Sequence, residues 1–338
     1  MNRFSKFLAA GVILIAGVAA ADSLLINGAG ATFPFPLYSK WFSEYNKLHP
    51  EVRINYQSIG SGGGIQQILA QTVFFGATDS PMTEEQLASA KGTILHFPTV
   101  LGAVVPVYNI EGLSAPLKFT GPVLADIYLG KIKRWNDPAI AKLNSGANLP
   151  SSKISVFFRS DESGTTENVS KFLKAAGDGA WTAEPSKSWT GTGEGKNKSS
   201  GVADGVKSTP GSISYMEWSY AKDNGLATAQ LDNGGGATEL TAETVGKALS
   251  QAQVKGSGND LALSLKYTDT GAGAYPALLV TYEIVCSKGL AAEQTAVLTD
   301  FLGFFSSTKT QSSLEELGYA PLPTDLQTKV ASAVKAIQ

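Results

Sequence analysis

Arg159 and Asp161 stand two residues apart, directly behind the apolar run Ile154 to Phe158. A guanidinium grips a tetrahedral oxyanion through parallel N–H groups, and a neighbouring carboxylate can hold that fork in place. Asp79 closes a similar run, Phe74, Phe75, Gly76, Ala77 and Thr78, so it too would leave the end of a buried strand at the mouth of a cleft. Three segments repeat one local pattern: a short apolar strand, a turn rich in glycine and hydroxyls, then a helix with one apolar face. The first turn, Gly28 to Phe33, reads GAGATF and follows Leu24 to Ile26; its helix carries Tyr38, Trp41, Tyr45 and Leu48, with Pro34 and Pro36 suited to the opening turn. The second, Gly60 to Gly64, reads GSGGG and joins Val52 to Ile59 to a helix carrying Ile65, Ile68, Leu69 and Val73. The third, Arg159 to Thr165, reads RSDESGT and opens a helix carrying Val169, Phe172 and Leu173. A helix N-terminus presents unpaired N–H groups and the positive end of a dipole, and glycine lets an anion approach the backbone, so convergence of the three would make an anion site. Taken singly, each turn is an ordinary N-cap, Asp79 a cap before Pro81, and Arg159 with Asp161 a surface ion pair. The residues by themselves leave both readings open.

Strand-like and helix-like runs alternate along the chain, as in Val52 to Ile59 then Ile65 to Val73, or Ile154 to Phe158 then Val169 to Ala176, which predicts an α/β fold. The 338 residues, 43% hydrophobic and 17% charged with 36 Gly, are enough for more than one core, so two domains are expected. Ser186 to Gly201 reads as a long loop and Ser257 to Gly273 as a second irregular segment. A net charge of −2 with no long basic run argues against a nucleic-acid partner. One Cys and two His cannot build a zinc centre or a disulfide framework within the chain, so neither metal nor cofactor is expected; Cys286 is expected to bury its thiol in a strand. GTGEGK at Gly191 to Lys196 lacks the spacing of a phosphate-binding P-loop, Phe33 stands where a dinucleotide fingerprint needs its last Gly, and no G-x-S-x-G nucleophile turn occurs. The sequence reads as a non-enzyme.

The N-terminus carries Arg3 and Lys6 ahead of an apolar run from Phe7 to Ala20, then Ala19 to Ala21 before Asp22. That is the pattern of a cleaved secretory signal over residues 1–21, and the run is shorter than the roughly 18 residues needed to span a bilayer. No Cys lies at the cleavage region, so a lipid anchor is not expected.

Several strings in a fixed order resemble the periplasmic phosphate-binding proteins of the bacterial high-affinity phosphate ABC importer, the PstS type. They are GAGATFP at Gly28 to Pro34, YQSIGSGGG at Tyr56 to Gly64, FGATDSP at Phe75 to Pro81, DIYLGKIKRWND at Asp126 to Asp137, RSDESGT at Arg159 to Thr165 and GSISYMEWSYA at Gly211 to Ala221. The likeness is weaker from Asp232 to Ala274. It implies a two-lobe periplasmic-binding-protein fold of the type II class with the ligand cleft between lobes. Two crossovers, near Val104 and Leu278, would divide the chain into one lobe of residues 22–104 plus 278–338 and another of residues 105–277. It further implies that Thr32, the Phe33 backbone, Ser61 and Asp79 from the first lobe and Arg159, Asp161, Ser163, Gly164 and Thr165 from the second bind inorganic phosphate. The protein would then be a periplasmic monomer without cofactor that delivers phosphate to a permease and ATPase complex at the inner membrane. An extracellular adhesin or sensor on the same fold, or a phosphatase using the same site, are the alternatives. Three positions depart from the resemblance: Glu162 where Gly is frequent, Gly62 where a second Ser is frequent, and Phe74 where Asp is common. Glu162 is expected to weaken anion binding unless its carboxylate points to solvent.

Overall fold

The computed structural model describes residues 23–268 and 270–338, so the expected leader lies outside the described residues. The elements that build the site run in chain order as β1 (Leu24–Gly30), α1 (Phe35–Leu48), β2 (Val52–Ser58), α2 (Ser61–Leu69), β3 (Phe75–Thr78) and β4 (Ile94–Tyr108). There follow β5 (Ser155–Arg159), α3 (Gly164–Ala176), β6 (Glu194–Lys196), α4 (Lys198–Ser208), β7 (Ser212–Glu217), α5 (Trp218–Asp223), β8 (Leu278–Cys286) and α6 (Ala292–Ser306). The strands join in one mixed sheet, in the order β2-β1-β3-β8-β4-β7-β5-β6, with the short strand Ala227–Thr228 also paired to β4.

Strand β4 belongs to both halves of this sheet. All fifteen of its residues are buried. Ile94 to Ala103 pair antiparallel with β8, and Val104 to Tyr108 pair antiparallel with β7. β8 is also antiparallel to β3, and Ala227–Thr228 to β4; the remaining pairings of this sheet are parallel, β1 with β2 and β3 on one side and β5 with β6 and β7 on the other. Pro98 has no N–H to give the ladder, and the register slips at Thr281/Tyr282, which pair with Val100 and Pro98. The bulged Thr99 instead bonds the Tyr38 hydroxyl at 2.8 Å and the Thr281 carbonyl at 3.3 Å.

Aromatic packing fills the first half. Tyr38, Trp41 and Tyr45 of α1 are buried against Phe301 and Phe305 of α6, with the Trp41 and Phe305 rings 4.5 Å apart. In the second half Tyr128, Trp181, Trp189 and Tyr215 form a second aromatic cluster. Leu48 does not share the buried face of α1: it is the last helical residue, 62% exposed, and the chain leaves helical geometry at His49. Val73 likewise falls outside α2, which stops at Leu69 because Gln71 adopts φ +59°. Cys286, expected to be buried, is half-buried at the last residue of β8, where the strand reaches the surface.

The segment expected to be a loop from Ser186 to Gly201 contains β6 and the start of α4. Its first turn, KSSG, carries no apolar periodicity; Lys198 opens it at φ +64°, and the helix buries residues only from Ser199 onward.

Helix α2 lies on the sheet backbone to backbone. A Cβ added at Gly64 would fall 2.6 Å from Gly30 Cα, 2.7 Å from the Ala77 carbonyl oxygen and 2.8 Å from that of Ala29. None of these atoms can move without shifting a strand. Gly64→Ala is therefore expected to lower the unfolding free energy by roughly 2 kcal/mol or more, read by chemical denaturation. Unchanged stability would mean that α2 is free to lift from the sheet.

Candidate functional site

Each predicted residue sits at the end of a strand, in the first turn of a helix or in the turn that joins the two. Thr32 and Phe33 form the turn between β1 and α1, Ser61 opens α2, Asp79 follows β3, and Arg159 ends β5. Ser163 caps α3, accepting from the Thr166 N–H at 3.2 Å, and Gly164 and Thr165 are the first helical residues. β1, β2 and β3 point one way and β5 points the other way from the far side of β4 and β7, so the turns that follow them face each other across the middle of the sheet. Helix α4 adds a further N-terminus to the set, through Ser199.

The Arg159 guanidinium is 3% exposed, and Asp161 beside it 15%. Arg159 donates through Nε to Asp161 Oδ1 at 2.7 Å and through Nη2 to Asp161 Oδ2. One edge of the guanidinium is thus committed to Asp161, which holds it in place. Nη1 faces the remaining polar groups, donating to Ser199 Oγ at 3.0 Å with Glu217 Oε1 at 3.8 Å. Asp161 Oδ1 also accepts from the Lys198 N–H at 3.0 Å and so fixes the start of α4. Burial opposes the charge on both groups. Their mutual hydrogen bonds and attraction win, holding Asp161 below the usual carboxylate range and Arg159 above its ordinary value.

Asp79 is 2% exposed. Its Oδ1 accepts from the Thr281 hydroxyl at 2.7 Å. Ser61 Oγ accepts from the N–H groups of Asp79 and Gly164, both at 3.1 Å, which directs its one proton to Asp79 Oδ2 at 3.5 Å. Burial pushes the Asp79 carboxyl up to about 7; the Thr281 bond opposes this, the Glu217 charge adds to it, and Arg159 and Ser61 oppose it. Thr165 donates to Glu217 Oε1 at 2.5 Å. The Phe33 ring is fully buried 5.0 Å from that of Tyr319, and its carbonyl accepts from the Tyr319 hydroxyl at 3.1 Å.

The two halves of the sheet are bonded across this site. Thr32 Oγ1 lies 2.7 Å from Ser199 Oγ, and the Tyr220 hydroxyl of α5 donates to the Thr32 carbonyl at 2.9 Å. The Gly62 N–H donates to the Glu162 carbonyl at 3.0 Å, Asn168 Nδ2 to the Asp79 carbonyl at 2.7 Å, and Ser80 Oγ to Glu167 at 2.5 Å. Glu167 in turn takes Lys171 and Lys187, each at 2.6 Å. A cavity of about 290 Å³, lined by Asp79, Lys171, Lys255 and Tyr267, adjoins the seam beside Asp79.

Residues 17–309 match the family model described as the PBP superfamily domain. The chain is 43% identical to the phosphate-binding protein PstS of Pasteurella multocida (strain Pm70), over 92% of this chain and 90% of that one. This chain belongs to the PstS family of phosphate-binding proteins. The family relative from Xylella fastidiosa (strain Temecula1 / ATCC 700964) is 40% identical over 90% of this chain and 83% of its own length. Among solved structures, a high-affinity periplasmic phosphate-binding protein with phosphate bound aligns at TM-score 0.75 and 23% identity, over 91% of this chain and 93% of that one. A phosphate-binding protein from Stenotrophomonas maltophilia aligns at TM-score 0.72 and 16% identity, over 92% of this chain and 94% of that one. The fold is thus the two-lobe α/β architecture of this family, and β4 and β8 run through its centre.

Against the PstS-type sequence pattern, two departures explain each other. A Cβ at Gly62 would fall 2.1 Å from Glu162 Oε2 and 2.4 Å from Glu162 Cβ, so the missing side chain at 62 leaves room for the extra one at 162. The Glu162 side chain is exposed. Three polar residues escaped the sequence reading: Ser199, Glu217 and Thr281. Glu217 had a signal, a carboxylate closing the buried run SISYM; Ser199 sat in the segment read as a loop, and Thr281 is one hydroxyl in an apolar strand.

Gly62→Ser is expected to cost roughly 1 to 3 kcal/mol of stability alone and much less beside Glu162→Gly, a coupling of about 1 kcal/mol or more in a double-mutant cycle. Additive effects would mean that the two loops do not press on each other. A second expectation concerns pH. Because the native Asp79 carboxyl is raised from its unfolded value, its contribution to stability is complete below about pH 4 and is lost as pH rises through about 7. In anion-free buffer, Asp79→Asn should gain a few kcal/mol of stability relative to wild type between pH 4 and pH 8. A pH-independent difference would place the Asp79 carboxyl in an ordinary environment.

Proposed function

We propose that the protein captures inorganic phosphate between its two lobes and hands it to an ABC-type permease and ATPase complex. The observation that carries this reading is the meeting, in one buried seam, of a single guanidinium, a row of hydroxyls and helix N-termini, and a carboxyl poised near neutrality. Donors of this kind suit any tetrahedral dianion. Asp79 adds selectivity, because hydrogen phosphate brings a proton that a carboxylate can accept, whereas sulfate would set a bare oxygen against it. The relatives named for phosphate binding support the choice of anion.

In this reading Thr32, the Phe33 backbone, Ser61 and Asp79 serve as the ligands of the lobe comprising residues 22–104 and 278–338. Arg159, held by Asp161, joins Ser163, Gly164 and Thr165 from residues 105–277. The change of β4 partner at Val104 and the start of β8 at Leu278 support that division. Residues 1–21 act as the export signal and the mature chain works in the periplasm as a monomer, without cofactor or catalysis. None of the described helices is long and apolar enough to cross a membrane. Delivery follows from the seam: the hydrogen bonds that join the halves across the site are formed on closure and broken to release the anion to the permease.

Isothermal titration of the anion-stripped protein should show tight phosphate binding and weak or undetectable sulfate binding. Arg159→Ala removes the buried cation and leaves Asp161 unpaired, and should cost roughly 2 to 5 kcal/mol of phosphate affinity. Preference for sulfate, or wild-type affinity without Arg159, would overturn this assignment.

A further inference from the structure

Beyond the seam, β8 carries a further buried carboxyl. Glu283 is completely buried and pairs with Ala77 of β3 and Phe97 of β4. It stands two residues after Thr281, so both side chains leave the same face of the strand, and Thr281 is the residue that holds Asp79. Neither Oε1 nor Oε2 has a hydrogen-bond partner among the described residues. The ionisable groups that act on Glu283 are Tyr38 of α1, Tyr56 of β2 and Asp79, with no cation among them. Helix α2 has no ionisable side chain, and α6 turns Leu298, Phe301, Leu302 and Phe305 inward while its Glu293 and Asp300 are exposed. The protons of both phenols are committed elsewhere. Tyr56 donates to the Ala31 carbonyl at 2.7 Å. Thr99 donates to the Thr281 carbonyl at 3.3 Å, so it accepts from the Tyr38 hydroxyl at 2.8 Å and leaves the Tyr38 oxygen with lone pairs only. A carboxylate at 283 would face those lone pairs without a donor, whereas the neutral acid brings a proton that the Tyr38 oxygen can accept. Burial pushes the Glu283 carboxyl up to about 8; the Tyr38 hydroxyl opposes this only by giving up its bond to Thr99, and the Asp79 charge adds to the rise.

From this we infer that capture of the anion is coupled to Glu283: phosphate arriving beside Asp79 drives a proton from solvent onto the Glu283 carboxylate, and loss of that proton in alkaline medium opposes binding. The inference rests on the reading of the cleft as a phosphate site. A bound dianion adds two negative charges to a buried region that already holds Asp79, and neighbouring like charges in low dielectric cannot all persist. The one proton of hydrogen phosphate is engaged at Asp79. Relief therefore comes from a group outside the ligand set, and Glu283 is the neighbouring carboxyl with neither a cation nor a donor to hold it ionised. Free protein whose Glu283 is ionised takes up one proton for each phosphate bound, and protein whose Glu283 is already neutral takes up none. By linkage, the anion raises the Glu283 carboxyl further, so affinity is level well below pH 8 and falls as pH rises through about 8.

The test is calorimetric titration of the full mature chain with inorganic phosphate between pH 7.5 and pH 9.5, in pairs of buffers whose heats of ionisation differ. Near pH 8.5 wild type is expected to take up about half a proton per phosphate, and its affinity is expected to fall roughly fivefold or more across the range. Glu283→Gln keeps the shape and the donor of the neutral acid, so it should match wild type at pH 7.5 and lose both the uptake and the alkaline decline. Uptake and decline that persist in the variant place the proton on another group and overturn the inference, as does wild type that shows neither; both results leave the phosphate assignment standing. Wild type that binds no phosphate at any pH overturns the reading of the cleft as well. If Glu283→Gln fails to fold, Glu283→Leu, apolar and unable to titrate, decides by the same two readouts.

Discussion

A guanidinium that is 3% exposed has given up nearly all of its water, and the site is arranged around that cost. Removing a cation from water costs several kcal/mol, which only close hydrogen-bonded partners can offset. Asp161 supplies two of the bonds, and because it also receives the Lys198 N–H it ties the buried charge to the start of a helix. Lys198 takes a left-handed conformation there, which an L-residue adopts only when its surroundings enforce it. Ser199 follows one residue later and reaches Thr32 in the other half of the sheet. One ion pair thereby orients β5, α4 and the seam between the halves.

The carboxylates have separate tasks because their surroundings differ. Asp161 is held charged by Arg159; Asp79 is deprived of water and offered only the Thr281 and Ser61 hydroxyls, so its proton is bound more tightly. Glu283, two residues beyond Thr281 on the same buried strand, is likewise pushed up, to about 8, by burial and by the Asp79 charge. A region containing one buried cation cannot keep every carboxyl ionised in low dielectric. Proton occupancy is thus built into the ground state before any anion arrives.

The α/β alternation and the strand-turn-helix units were legible in the chain because their apolar periods and glycine turns are local signals. So were Arg159, Asp161 and Asp79, each closing an apolar run. What could not be read was direction: sequence spacing pairs Arg159 with Asp161 but does not say which guanidinium edge the pair consumes. Ser199 was hidden for a different reason, since KNKSSG resembles a loop, and the partner that receives the first helical N–H, Asp161, lies 37 residues away. Glu217 and Thr281 owe their place in the site to tertiary pairing of β7 and β8 with β4, which no local window contains.

Strand β8 lies between β3 and β4, although nearly two hundred residues separate it from β3 in the chain. During synthesis, β1 to β4 emerge early, yet the edge of β4 that will meet β8 stays unpaired until residues 278–286 have been made. The second half is continuous with that waiting strand through Val104 to Tyr108. The strands of the second half all lie before residue 229, whereas the first half cannot complete its hydrogen bonding until β8 is made, so its native pairing is available only to the nearly finished chain. Until then Ile94 to Ala103 of β4, buried throughout in the native fold, are a sticky edge, and their protection falls to whatever holds the nascent polypeptide.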